Sequence, residues 1–225
     1  MSTPRLKILV GADLHNSRSG LDWFCKLAAA HKPELITFLG DIINEQPLTF
    51  FKEVLGVLRD LAPAVFVIPG NWDPREALVE MDIAAFDGLK HLHKASAELA
   101  GYRFAGLGGS TPTPLGTTPL EGPEQGFASP LAPLLPADVW LLHNPVAGYR
   151  DLAGGTRNVG SPSLYELWRA QDPRPVLVLS GHIHEAAGFE RAAPTTFVNP
   201  GSLKQRSAAM VTLTGTDTQV EMLGS

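Results

Sequence analysis

The chain has a single cysteine, Cys25, in 225 residues, so no disulfide can form within it. Cys25 lies among Trp23, Phe24 and Leu27, where a buried structural thiol is expected. No apolar run approaches the roughly 20 residues needed to cross a bilayer. The opening Met1–Ser2–Thr3–Pro4–Arg5–Leu6 leads straight into an apolar strand, without the long apolar middle or small-residue cleavage site of a signal peptide. A membrane partner is therefore not expected, and a cytoplasmic location is. Runs of lysine or arginine are also missing, and the formal net charge is −5, which gives no reason to expect long nucleic acid as a partner. The rest is ordinary for a globular chain: 44% hydrophobic and 18% charged residues, in a length that fits one large α/β domain spanning 1–225.

Several short apolar runs each end in a residue that can bind a metal. Leu177–Val178–Leu179–Ser180 stops at Gly181 and is followed by His182–Ile183–His184. Alone, a His-x-His pair is weak evidence. Leu6 to Val10, however, leads to Asp13–Leu14–His15, and Leu35 to Leu39 leads to Gly40–Asp41. Val65 to Ile68 leads to Pro69–Gly70–Asn71, and Val139 to Leu142 to His143. Short apolar runs bounded by glycine are expected to be buried strands, and open α/β sheets carry their sites at the carboxyl ends of such strands.

Between the first three runs the spacing predicts helices. One is capped by Ser19 and buries Leu21, Phe24, Leu27 and Ala28; another runs from about Pro47 to Asp60 with Phe50, Phe51, Val54, Leu55 and Leu58 inward. Strands separated by helices imply a parallel sheet with right-handed crossovers, so their carboxyl ends share one edge. Farther on, Leu89–His93 and Glu98–Leu107 are expected to pair as strands, with His91 and His93 as polar positions outside the site. Gly108–Pro130 and Asn144–Gly160 are irregular, the first expected to form a lid or wall over the site. Ser161 and Pro162 open a helix through Leu164, Leu167 and Trp168, and Trp140 and Trp168 sit at core spacings. Strands at Thr196–Val198, Ala208–Leu213 and Thr218–Leu223 end the chain in antiparallel fashion. Two mixed sheets packed face to face with helices outside, an α/β sandwich of αββα type, account for this order.

The loop residues together are Asp13, His15, Asp41, Asn71, His143, His182 and His184, too many donors for one ion. Two divalent ions about 3.5–4 Å apart would use them, with a carboxylate such as Asp41 bridging the pair. Oxygen and imidazole donors admit Mn, the favoured metal, and equally Fe, Zn, Ni or Co. Water between two such ions loses a proton readily, which is the arrangement a two-metal hydrolase needs.

These residues, in this order, resemble the calcineurin-like metallophosphoesterases. Asp13–Leu14–His15 is similar to their D-x-H motif, Gly40–Asp41 to GD, Gly70–Asn71–Trp72–Asp73 to GN-x-D/E, His143 to a lone histidine and Gly181–His182–Ile183–His184 to GH-x-H. The resemblance implies one ion held by Asp13, His15, Asp41 and His184 and a second by Asp41, Asn71, His143 and His182. Asn199–Pro200–Gly201–Ser202 resembles a segment of many small members. There is one departure. Many members place a histidine after the metal-binding asparagine, and here Trp72 stands in that position, with no titratable proton to offer.

Substrates with a stable leaving group are therefore expected, a small phosphodiester ahead of a phosphomonoester. Asp73 would serve as the acid if its pKa were raised; the competing and favoured expectation is a helix N-cap before Pro74. Asp41 and Asn71 are the other candidate catalytic residues. Asn16 and Arg157 are candidate contacts for the substrate. A binding scaffold on the same fold is the alternative outside enzymes, and it ranks behind because all seven ligands are kept.

Overall fold

The computed structural model describes residues 3, 5–44, 48–84, 88–113 and 118–224. Strand β1 (Arg5–Gly11) shows how the sheets are built: Leu6, Ile8 and Val10 point to one side and Leu9 to the other, and all four are buried. Both faces of the strand are covered, which is why it appears in the sequence as a continuous apolar run rather than an alternating one.

The first sheet contains β1, β2 (Leu35–Phe38), β3 (Ala64–Val67), β4 (Leu89–His91), β13 (Ser207–Thr214) and β14 (Asp217–Gly224). Its order is β14-β13-β1-β2-β3-β4; β1 to β4 are parallel, and the closing hairpin β13–β14 adds on antiparallel to β1. The second sheet contains β5 (Ala95–Leu99), β6 (Tyr102–Leu107), β7 (Val139–Leu142), β10 (Leu177–Ser180), β11 (Gly188–Ala192) and β12 (Thr195–Asn199), in the order β11-β12-β10-β7-β6-β5. Its four central strands are parallel and its two edges antiparallel. A small hairpin, β8 (Leu152–Ala153) and β9 (Arg157–Asn158), stands outside both sheets.

Helices α1 (Arg18–His31), α2 (Leu48–Leu61) and α3 (Arg75–Ala84) follow strands of the first sheet, and α4 (Pro162–Arg169) covers the second. The core accordingly has three layers. Phe24, Phe38, Phe51 and Leu58 fill the space between the first sheet and its helices. Ile8, Phe66, Phe104, Leu141 and Leu179 fill the space between the sheets, where Phe66 and Phe104 meet edge to face at 5.1 Å. Trp140, Val178, Phe197, Leu164 and Trp168 join the second sheet to α4. The expected αββα sandwich is the one observed, with Trp140 and Trp168 in the core.

Local details differ from the expectations. Helix α1 is capped by Ser17, whose hydroxyl accepts from the Gly20 N–H at 3.1 Å, two residues before the expected Ser19. Ser161 caps α4 as expected, accepting from Leu164 N–H. The inner face of α2 is the expected one, while its expected start at Pro47 lies outside the described residues. Leu89–His91 does not pair with the strand that follows; it joins β3 in the first sheet, and the hairpin is instead β5–β6. Ala100 and Gly101, both at positive φ, make the tight turn inside what the apolar pattern presents as one strand from Glu98. Cys25 is only partly buried, against the α1–α2 layer. Among the described residues no helix is long and apolar enough to cross a membrane.

Candidate metal centre

The carboxyl ends of β1, β2, β3, β7 and β10 meet at one end of the sandwich. Two groups of side chains there could each hold a metal ion: Asp13, His15 and His184, and Asp41, His143 and His182, with the ligand atoms of each group within 4.8 Å of one another.

Backbone contacts force this convergence. The loops after β1 and β2 are zipped together by Asp13 N–H to Gly40 O and His15 N–H to Asp41 O, both 3.0 Å, and by Asn16 N–H to Ile42 O at 3.1 Å. In these loops Asp13, His15, Asn16 and Asp41 all have φ between 47° and 63°, and His182 has φ 71°. A non-glycine residue costs about 1 kcal/mol or more in this left-handed region, and such strain persists only where the surroundings over-determine it. Gly40 and Gly70 allow the second and third loops to touch: a Cβ on Gly40 would lie 2.1 Å from Gly70 N, and one on Gly70 would lie 1.9 Å from Asp41 Oδ1.

Each aspartate uses one oxygen as a brace and turns the other toward imidazoles. Asp13 Oδ2 accepts from His182 N–H at 3.0 Å. Its Oδ1 is buried without a hydrogen-bond partner, 3.5 Å from His184 Nε2 and 3.8 Å from His15 Nε2. Asp41 Oδ1 accepts from Trp72 N–H at 2.8 Å, while Oδ2 lies 3.8 Å from His15 Nε2 and 3.5 Å from His143 Nε2, between the two groups. His15 Nε2 and His184 Nε2 face each other at 3.2 Å. Two ring nitrogens and an unpartnered carboxylate oxygen pointing at one spot are what a shared cation satisfies, so these residues fit a pair of divalent ions.

The electrostatics agree. Burial penalises the Asp13 charge, but the His184 ring beside it and the other surrounding imidazoles outweigh it and bring its pKa down to about 2. Burial pulls His143 down, yet Asp41 beside it pushes its pKa up to about 9. His182 is lowered to about 4 by burial and by the His143 charge. His184 is raised, the Asp13 carboxylate outweighing its desolvation.

A second layer of residues aims the ligands. His143 Nδ1 bonds to Leu39 O at 2.7 Å, leaving Nε2 for the centre, where Asn71 Oδ1 is 2.9 Å away. His15 Nδ1 bonds to Asn44 Oδ1 in the same way. Asn71 Nδ2 donates to Thr118 Oγ1 at 3.1 Å, which turns the amide oxygen inward. From the Asn199–Ser202 segment, Asn199 Nδ2 donates to Ile183 O at 2.9 Å and Ser202 Oγ to Asp13 O at 2.7 Å, tying the first and last ligand loops together. Asn44 and Thr118 carry no sequence signal of their own; the Asn199–Ser202 segment does.

The remaining candidates fall in different places. Asp73 is fully buried and caps no helix. Its Oδ2 accepts from the N–H groups of Asp41 and Gly70, both 2.8 Å, and its Oδ1 from those of Ile42 and Ile43, at 3.0 and 3.1 Å. Burial and the Asp41 charge press its pKa up to about 7 against these donors. With both oxygens engaged by N–H donors, a proton would displace one of them, so the arrangement calls for the carboxylate. Asn16 is exposed, and its Oδ1 accepts from Asn44 N–H at 2.8 Å. Arg157 lines a cleft of about 1020 Å³ with Thr111, Thr113, Glu124, Asn158 and His182. The 108–130 segment thus forms a wall of that cleft, although residues 114–117 lie outside the described set.

Comparison with known proteins matches residues 6–186 to the family model for calcineurin-like phosphoesterases. None of the curated proteins matches. Among solved structures, the chain is similar to TT1561 of Thermus thermophilus at TM-score 0.73 and 19% identity, covering 96% of this chain and 98% of that one. It is also similar to a dimetal phosphatase of Danio rerio, at TM-score 0.67 and 12% identity over 97% and 96%. A third is an archaeal phosphodiesterase, at 0.56 and 14% over 97% and 100%.

Proposed function

The chain belongs to the calcineurin-like phosphoesterase family, and we propose that it hydrolyses small phosphodiesters with two divalent cations. Asp13, His15, Asp41 and His184 would hold one ion, and Asp41, Asn71, His143 and His182 the other. The observation that carries this reading is the placement of Asp41 Oδ2 between two imidazole groups while Asp13 Oδ1 lies buried and unpartnered. When bound, the ions would act as Lewis acids toward the phosphoryl group and lower the pKa of water.

The chain's own residues fix the rest. Asp41 Oδ2 lies within reach of both groups, and the His143–Leu39 and His15–Asn44 bonds hold the rings in the tautomer that presents Nε2. Asp73 holds the loops on which Asp41 and Asn71 sit, and we assign it a positioning role rather than a catalytic one. The cleft beside His182 is large enough for an ester with an organic group on each side, and Arg157 is its cation.

Preference for diesters rests on the leaving group. Trp72 has no titratable proton and Asp73 is committed to four N–H donors. Losing general-acid help costs about 10²–10⁴ in rate for a poor leaving group and far less for a good one. Among metals we favour Mn²⁺. The test is hydrolysis of bis-p-nitrophenyl phosphate and p-nitrophenyl phosphate, side by side, after chelation and Mn²⁺ add-back. The diester is expected to be cleaved faster, and only with metal restored. Equal low rates with and without metal would end the hydrolase reading and favour a scaffold; faster monoester turnover would reverse the substrate assignment.

A further inference from the structure

A second cavity, lined in part by Leu107, Gly108 and residues 120–123, shares no lining residue with the cleft. It measures about 250 Å³, and Arg75, from the start of α3, and His93 and Lys94, from the turn between β4 and β5, line it. Among the described residues, neither the Arg75 nor the Lys94 side chain has an ion pair or hydrogen bond. The opposing charge is Glu121, which spends one oxygen on the Thr113 N–H and hydroxyl, at 3.3 and 2.8 Å. Two cations against one carboxylate leave the lining with an excess of positive charge, in a chain whose net charge is −5.

His93 adds a neutral donor. Its Nδ1 accepts from the Gly108 N–H at 3.0 Å, so in the neutral ring the proton sits on Nε2. Burial and the charges of Lys94 and His91 keep the ring neutral, with a pKa lowered to about 4. A neutral imidazole N–H lining the same cavity as an ammonium and a guanidinium is a suitable combination for an oxyanion. The size of the cavity fits a small one rather than a nucleotide.

We propose that this cavity binds a small multiply charged oxyanion, a phosphate or carboxylate compound, at a site separate from the metal centre. Its wall touches the loop of that centre: Leu120 N–H donates to Asn71 O at 3.1 Å, and Gly109, next to the lining residue Gly108, donates its N–H to Pro69 O at 3.0 Å. An anion drawing Arg75 and Lys94 onto the segment would brace the loop that carries Asn71.

Titration of the protein with inorganic phosphate and, separately, malonate, read at the His93 ring signals by NMR, tests the site. The signals are assigned by H93Q. Binding is expected to shift them and raise the His93 pKa, with affinity at least about tenfold weaker in R75Q/K94Q, whose substitutions are at exposed positions. A response to phosphate alone or to malonate alone supports the site and names its ligand class. Unmoved signals up to tens of millimolar anion, or equal shifts in R75Q/K94Q, overturn the proposal. Phosphate binding at the metal centre would not depend on Arg75 and Lys94, so this result and the hydrolase assays fail independently.

Discussion

Replacing Asp73 by asparagine separates a structural role from a catalytic one. In the native chain the two carboxylate oxygens receive four backbone N–H groups, all within 2.8–3.1 Å. Asparagine keeps one oxygen and turns an NH2 group toward the other pair of donors. At least two charge-assisted bonds are lost, each worth about 1.5–3 kcal/mol, and two buried N–H groups are left without partners. The expected loss is about 3–6 kcal/mol, a large share of the roughly 5–15 kcal/mol that holds a typical domain together. Urea unfolding followed by tryptophan fluorescence measures it. D73N is expected to unfold at much lower urea than the native chain, and what remains folded is expected to bind metal poorly, because the same N–H groups belong to the loops of Asp41 and Asn71. A general acid would behave differently: stability would be untouched, and turnover would fall selectively on esters with poor leaving groups. D73N within about 1 kcal/mol of native stability, fully metallated and slow only on such esters, would refute the reasoning.

Thr118→Val removes the hydroxyl that orients Asn71, and metal affinity at one of the two ions is expected to fall about 10–100-fold, as is usual when a partner of a ligand is lost; a metal titration showing two unchanged affinities would contradict this. Gly70→Ala would place a Cβ 1.9 Å from Asp41 Oδ1 and 2.3 Å from Asp41 N, and little folded protein is expected; native melting temperature would show the loops to be freer than described. His93 gives a pH dependence. Its pKa falls to about 4 on folding from 6.5 unfolded, so between these values the unfolded chain binds more protons and stability rises with pH. The contribution is complete above 6.5 and reaches up to about 3 kcal/mol across the window. H93Q is expected to flatten the stability profile from pH 4 to 6.5, and an unchanged slope would contradict it.

Much of the fold was legible because β1, β2, β3, β7 and β10 are buried on both faces and end at the ligand-bearing loops. Periodicity fixed the inner faces of α1, α2 and α4 for the same reason. It failed at Glu98–Leu107, where apolar residues run through a turn made by backbone conformation at Ala100 and Gly101. The candidate ligands were legible as donors at strand ends, whereas the residues aiming them were not. Thr118 reaches Asn71 across 47 residues of sequence and Asn44 reaches His15 across 29. Such contacts have no period and depend on loop paths that local propensity does not set. Asp73 shows the same limit from another side, since its position before Pro74 matches a helix cap while its partners lie mostly in the loop after β2.

The dinuclear centre itself is most directly tested by electron paramagnetic resonance of the protein loaded with Mn²⁺, alongside elemental analysis. Two bound ions per chain with an exchange-coupled spectrum, reduced to uncoupled manganese in D41N, are predicted from the position of Asp41 Oδ2 between His15 and His143. A single ion, or two that give uncoupled signals in the native chain, would contradict the account.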